Sequence, residues 1–402
     1  MTDASSWRLL PLVLALSALF RPYSGLIHDA RLYAFQVLDH IEPGQHTQDL
    51  FLKFGSQDRF SLFSTIMVPL ARVCGLEGSF FLAYLLSQLL FFHALIRFYR
   101  ILRLPGWVLA MSCVYVAVMP LPYGGQATFH VHENFVTARP MACALCLYGL
   151  EMLMRRRNGL SLTLLLAAIL VHPLMAIGGL AVWVGVTASR WLTTPWYVGL
   201  LGSTALCGGL FLAMPKLATG ALGYLDPAWK SHVRAANPYC MPDLWTRDDH
   251  LAIAVAMAVV AGYIVAGKRE GQANRISEPH APTDQAGNGF PRRQEESRRF
   301  LAVMLVVALL GYLGSWLAVA APYALLVQGQ PYRSLWLLQV SFLPLAFLRV
   351  RNAWWQRGGT VVGAGLLLLW LATRSLTFTL WGAGISGFVW LLSGVPRRAW
   401  RP

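Results

Sequence analysis

The stretch that decides the fold is "WRLLPLVLALSALFRPYSGLIHDARLY", residues 7–33. An apolar run gives way at Arg21 and Pro22 to a segment that carries His28 and Asp29, with no small-residue cleavage site between. It reads as a retained membrane span followed at once by a polar loop, rather than as a secretory signal. Runs of about 20 apolar residues, the length that crosses a bilayer, recur outward from it. Candidate spans cover 7–27, 79–99, 106–122, 139–154, 195–214, 250–267, 300–321, 332–349, 360–376 and 378–394.

Composition agrees with this reading. Of the 402 residues 56% are hydrophobic and only 13% charged, whereas a soluble domain is charged at about a quarter of its positions. The expected architecture is an all-α, polytopic transmembrane helical bundle of about 10–12 membrane helices, some re-entrant, with extracytoplasmic loop helices. Two apolar stretches do not fit a full crossing. Residues 61–75 carry Pro69 and Arg72 and read as a re-entrant or interfacial helix. Residues 160–189 are too long for one span and are interrupted by His172 and Pro173. Proline removes a backbone donor and disfavours helix at the residue before it, so this stretch reads as two short helices in a re-entrant pair.

The formal charge of +15 does not indicate a nucleic-acid partner, because the basic residues lie in short clusters between apolar runs rather than on one soluble face. Arg97, Arg100, Arg103, Arg155, Arg156, Arg157, Arg190, Arg349, Arg351, Arg357, Arg397, Arg398 and Arg401 all fall on one side of the expected topology. By the positive-inside rule that side is cytoplasmic. The N- and C-termini are expected there too, in a bacterial inner membrane. The expected domains are a membrane bundle over 1–267 with a first outer loop at 28–60, a disordered cytoplasmic linker at 268–299, and a four-helix membrane part at 300–402. The linker is rich in Gly, Pro, Gln, Asn and Glu and lacks apolar periodicity. Cys74, Cys113, Cys143, Cys146 and Cys207 lie in apolar segments and only Cys240 in a polar loop, so no disulfide framework is expected.

Carboxylates and imidazoles concentrate in the outer loops 28–60, 122–138 and 215–250. In "HDARLYAFQVLDHIEPGQHTQDLF" (28–51), Leu32, Phe35, Leu38 and Ile41 recur at helical spacing, so its charges, Asp49 and His28 among them, suit the solvated face of an amphipathic surface helix. Asp29 stands at the junction, placed either to cap that helix or to serve as base for an acceptor hydroxyl. In "YGGQATFHVHENFVTARP" (123–140), an extended 129–133 would put His130 and His132 on one face beside Glu133, a spacing compatible with a divalent metal. Arg139 either anchors its helix to headgroups or binds a lipid phosphate. Arg333 in "GQPYRSLWLLQ" (329–339) either snorkels or holds a phosphate through its guanidinium. Lys216 is a lesser basic candidate. Asp248, Asp249 and His250 read as a helix N-cap before 251 or as a metal or sugar site. His172 reads as a hydrogen-bonded residue at a helix break or as a proton relay.

Taken together these motifs resemble the C-type glycosyltransferase (GT-C) superfamily of integral membrane enzymes. The shared features are the acid soon after the first span ("IHDARLY"), the large first outer loop, the outer-loop glutamate before "ARP" ("ENFVTARP"), the broken "LVHP" helix and the late "QPYRSL". The resemblance implies a sugar moved from a polyprenyl-phosphate carrier to an acceptor at the outer face. It implies Asp29 as base or metal ligand, Glu133 as a second acid of the site, and Arg333 as the arginine that meets carrier phosphate. The chain departs from the superfamily in lacking a tandem acidic pair, since Ala30 follows Asp29. Two other function classes compete. A transporter or flippase for a lipid-linked substrate should show internal repeats and mid-membrane ionisable residues; no repeat is visible. A non-catalytic subunit working with envelope-polysaccharide biosynthesis proteins should tolerate Asp29→Asn.

Overall fold

The chain is described by a computed structural model over residues 8–46, 48–191, 223–277 and 290–354. The expected spans at 195–214, 360–376 and 378–394 lie outside the described residues, as do Lys216 and Cys207. The first apolar run forms α1 (Leu9–Phe20) and the polar segment after it forms α2 (Asp29–Ile41). The long apolar run that follows is α3 (Phe63–Ile101), and α4 (Gly106–Val118) packs on it and on α1. A two-residue β-hairpin (Pro122–Tyr123 with Phe129–His130) leads into α5 (Ala138–Met154), α6 (Asn158–Val171) and α7 (Pro173–Trp191). After 223 come α8 (Pro227–Ala236), α9 (Arg247–Ser277), α10 (Phe290–Ala320), α11 (Ala324–Gly329) and α12 (Leu335–Trp354). The described chain is a helical bundle. Four of its helical segments are long and apolar enough to cross a membrane: Phe63–Ile101, Pro173–Arg190, Arg247–Ala266 and Gln294–Ala320.

The stretch 61–75 ends at a break in the helix, and the stretch 160–189 is divided by one. Pro69 is accommodated inside α3, and the break falls at Gly75, whose φ of 71° and ψ of 169° only glycine adopts without strain. Residues 63–74 thus form a separate helical segment before the longer arm. The second break is at His172, where α6 ends and α7 begins. The Ser61 hydroxyl donates to the Val171 carbonyl at 2.7 Å, and the Leu62 N–H to that of Leu170 at 2.8 Å. These bonds satisfy two of the carbonyls that the end of α6 leaves unpaired. The α6–α7 pair starts and finishes at the same end of the bundle, with its turn at the opposite end.

That shared end is the arginine-rich one. Fully buried Glu151 on α5 accepts from Arg97 Nε at 2.7 Å, Arg97 Nη2 at 2.9 Å and Arg155 Nε at 2.8 Å. Glu296 on α10 pairs with Arg190 at 2.7 Å and with Arg156 at 3.3 Å, and Arg190 also donates to the Leu153 carbonyl. Four of the arginines placed on one side by the sequence therefore meet in space, each compensated by a carboxylate.

Two sequence expectations are corrected here. The stretch 268–299 does not begin and end as a linker, because α9 continues to Ser277 and α10 starts at Phe290. Its flanks are made of Lys, Arg, Glu, Gln and Ala, good helix formers that extend an established helix at little cost; 278–289 lies outside the described residues. The helix expected from the Leu32 stripe is present as α2; its buried residues are Ala30, Tyr33, Ala34, Gln36 and Val37, and Leu32 lies outside that face at 40% exposed. The small alanines let α2 lie close against α3, which turns the larger side chains outward. The extended run ends at His130, so His130 and His132 do not continue along one strand face.

Candidate functional site

The end of the bundle opposite the arginine cluster gathers the polar residues singled out in the sequence. Its hub is built at the start of α5. The Thr137 hydroxyl accepts from the Arg139 backbone N–H at 3.2 Å, capping the helix, and donates to Glu133 Oε2 at 3.0 Å. One hydroxyl thus starts the helix and holds the carboxylate. Arg139 lies in the first turn with its side chain only 7% exposed, donating from Nε to Glu133 Oε1 at 2.8 Å and from Nη1 to Asp29 Oδ2 at 2.5 Å. Glu133 is as deeply buried, at 4% of its side chain, whereas that of Asp29 is 43% exposed.

Asp29 opens α2 but makes no cap bond to it; the residue before it, His28, has φ 46° and ψ −133° and no capping hydrogen bond. Of the two roles offered by the sequence, the carboxylate has turned from its own helix toward Arg139. Burial works to raise its pKa, but the contacting Arg139, with Arg333 and His28 behind it, outweighs that and holds the carboxyl below its ordinary value.

Arg333 reaches the same place from the far side of the sequence. Gln330, left-handed at φ 43°, turns the chain into the short 3-10 helix Pro331–Ser334 that leads into α12. Its Oε1 accepts from Arg333 Nε at 2.6 Å, and Arg333 Nη1 lies 3.8 Å from Met175 Sδ. The guanidinium carbon stands 4.0 Å from the centroid of the Phe129 ring, and that of Arg139 stands 5.1 Å from the same ring. The two arginines thus share one aromatic slab, itself flanked by Tyr123 and Tyr332. Arg139 is compensated by two carboxylates; among the described residues Arg333, though buried, has none within ion-pair distance.

His172 lies beside this group at the α6–α7 break, buried, with Nδ1 lacking any hydrogen-bond partner. His132 is turned into the bundle, Nε2 at 2.5 Å from Gln88 Oε1 and 3.2 Å from Ser17 Oγ, its ring against Phe91 and Phe92. Burial, then Arg21 and His130, keep its pKa well below the ordinary histidine value. Gln88 in turn donates to the Glu133 carbonyl at 3.1 Å, so His132 braces the loop that carries Glu133. Among the described residues no three His, Cys, Asp or Glu side chains assemble into a metal site. The two carboxylates of the site, Asp29 and Glu133, are both paired with Arg139, so the residues present do not fit the divalent ion that the sequence spacing suggested.

Other candidates resolve into local roles. Asp49 accepts from the Phe51 and Leu52 N–H groups at 2.8 and 3.1 Å, starting the turn at Phe51–Gly55. Asp249 and Thr246 form a reciprocal cap at the start of α9, and Asp249 also takes the Gln126 N–H at 2.8 Å. His28 has its ring 5.6 Å from that of Phe135. Sequence reasoning missed Arg21, within electrostatic reach of Glu133 and with Nη1 buried and unpaired, and it missed Phe129. An arginine on the far flank of the first span was the available signal for the former; an aromatic inside the His130 stretch, for the latter.

The loop that carries Phe129 is pinned by packing. A Cβ on Gly125 would meet the Trp245 indole at 2.2 Å, and one on Gly124, whose φ is 73°, would meet Tyr332 at 2.8 Å. Gly125→Ala is expected to destabilise the protein by about 1–3 kcal/mol, the usual cost of overpacking, read as a lowered melting temperature in detergent; an unchanged melting temperature would show the indole free to move. Comparison with protein-family models, with curated proteins and with solved structures finds no match to this chain.

Proposed function

We propose that the protein is a GT-C-like membrane glycosyltransferase that moves a sugar from a polyprenyl-phosphate carrier to an acceptor at the extracytoplasmic face of a bacterial inner membrane. The observation that carries this reading is Arg333: a buried guanidinium with no carboxylate partner among the described residues, stacked on Phe129 and within electrostatic reach of Asp29. A buried cation left without a counter-charge is costly, and a phosphate supplies both the charge and the paired acceptor oxygens that a guanidinium matches. The four long apolar helices support a membrane setting. The clustering of arginines at the end remote from the site supports placing the site outside.

In this reading an acceptor hydroxyl attacks the anomeric carbon. The new carbon–oxygen bond forms as the bond to the phosphate oxygen breaks, and the electron pair leaves with the phosphate. The hydroxyl proton passes to Asp29, the more accessible carboxylate, which its neighbours keep ionised. Arg333 and Arg139 stabilise the charge that develops on the departing phosphate. Glu133, buried and doubly held, orients Arg139 rather than reaching substrate. The apolar side chains that α2 turns outward suit contact with the bilayer surface.

The test is native mass spectrometry of the full chain with undecaprenyl phosphate, comparing wild type with Arg333→Ala. Binding by the wild type that the substitution weakens supports the reading. A wild type that does not bind the lipid removes it and brings forward a transporter or an assembly subunit.

A further inference from the structure

The network around Arg139 is lopsided. Glu133 is held by Thr137 and by Arg139 Nε, and its own loop is braced through Gln88 and His132. Asp29 has no comparable support. Its side chain is 43% exposed, its one side-chain hydrogen bond among the described residues is accepted from Arg139 Nη1, and it follows a residue with an unfavourable positive φ. The carboxylate that Nη1 holds is also within electrostatic reach of Arg333, and both guanidiniums lie against the one Phe129 ring. We propose that Asp29 holds the place of the incoming phosphate on Arg139: a phosphate bridging the two guanidiniums displaces the carboxylate, and the carboxylate is thereby released to act as the base.

This inference rests on the phosphate-binding reading above and adds to it an order of events. Before the carrier arrives, Asp29 and Glu133 both neutralise Arg139, so Asp29 is paired and is a poor base. A phosphate that takes Nη1 breaks only the exposed ion pair, the weaker kind, and leaves the buried one intact. Base strength then appears only when the donor is in place, which protects the acceptor site from idle proton transfer. The strained φ of His28 suits an arm that moves, since relaxing it offsets part of the lost contact.

The arrangement makes a prediction of unusual sign. Asp29 competes with the phosphate, so Asp29→Asn is expected to bind undecaprenyl phosphate about tenfold more tightly than wild type while transferring no sugar. Asp29→Ser serves as the second variant should the amide disturb folding, with melting temperature checked for both. Undecaprenol, which lacks the phosphate, is the control ligand. Tighter binding of the phosphate lipid alone by either folded variant supports the exchange. Equal or weaker binding by the variants overturns it and leaves the phosphate-site reading standing, as does equal tightening for undecaprenol. The same gain from Glu133→Gln would reflect general removal of negative charge and would also overturn it. A wild type that binds neither lipid removes both proposals together.

Discussion

Arg139→Ala is expected to destabilise the protein by about 3–5 kcal/mol, the cost of breaking a buried ion pair from one side. The reason is Glu133. Its carboxylate is buried, and Arg139 Nε is its charged partner; the Thr137 hydroxyl that remains is neutral and cannot compensate the charge. The start of α5 would lose its anchor to α2 as well, since Asp29 is tied to the bundle through the same guanidinium. The measurement is the melting temperature of the detergent-purified protein, followed through a double-mutant cycle with Glu133→Gln. The double variant should recover a large part of the loss, because it no longer leaves a buried charge alone. A loss that Glu133→Gln does not relieve would mean that Arg139 contributes through packing against Phe129 instead.

Arg333→Met should do the reverse. The side chain is similarly buried, but its neighbours are an amide oxygen, a thioether sulfur and an aromatic ring, none of which suffers when the charge is removed. Methionine fills much of the same space, so stability is expected to stay within about 1 kcal/mol of wild type or to rise. Affinity for undecaprenyl phosphate should fall at least about thirtyfold, the lower end of the loss when one partner of a buried charge pair is truncated. Two buried arginines about one phenyl ring would then separate cleanly, one needed for the fold and the other for the ligand. A fall in stability matching that of Arg139→Ala would show that Arg333 is a structural residue and would take away the observation on which the function rests.

Much of this was legible from residue types. Helical character and the broken runs followed from apolar length and from Pro173, because backbone rules act locally. Asp29, Glu133, Arg139 and Arg333 stood out because they flank apolar runs away from the arginine clusters. What the sequence could not show was the pairing. Residues 29, 133 and 333 meet only through the packing of α2, α5 and the approach to α12, and such contacts have no signature in spacing. Gly75 illustrates the local limit: Pro69, the stronger breaker by rule, sits inside a helix, while the glycine six residues on takes the turn because its φ is free. His132 illustrates the other. Its spacing to His130 suited a metal, but Gln88 and Ser17, distant in the chain, were there to satisfy it instead.

Four helices begin beside the site residues: α2 at Asp29, α5 just before Arg139, α7 just after His172, and α12 just after Arg333. Each brings the positive pole of its peptide dipoles, worth about half a unit charge, toward the same small volume. That part of the field belongs to the backbone, so it neither titrates nor disappears when a side chain is replaced. A variant stripped of both arginines would still prefer an anion there, weakly and at any pH at which the helices stand.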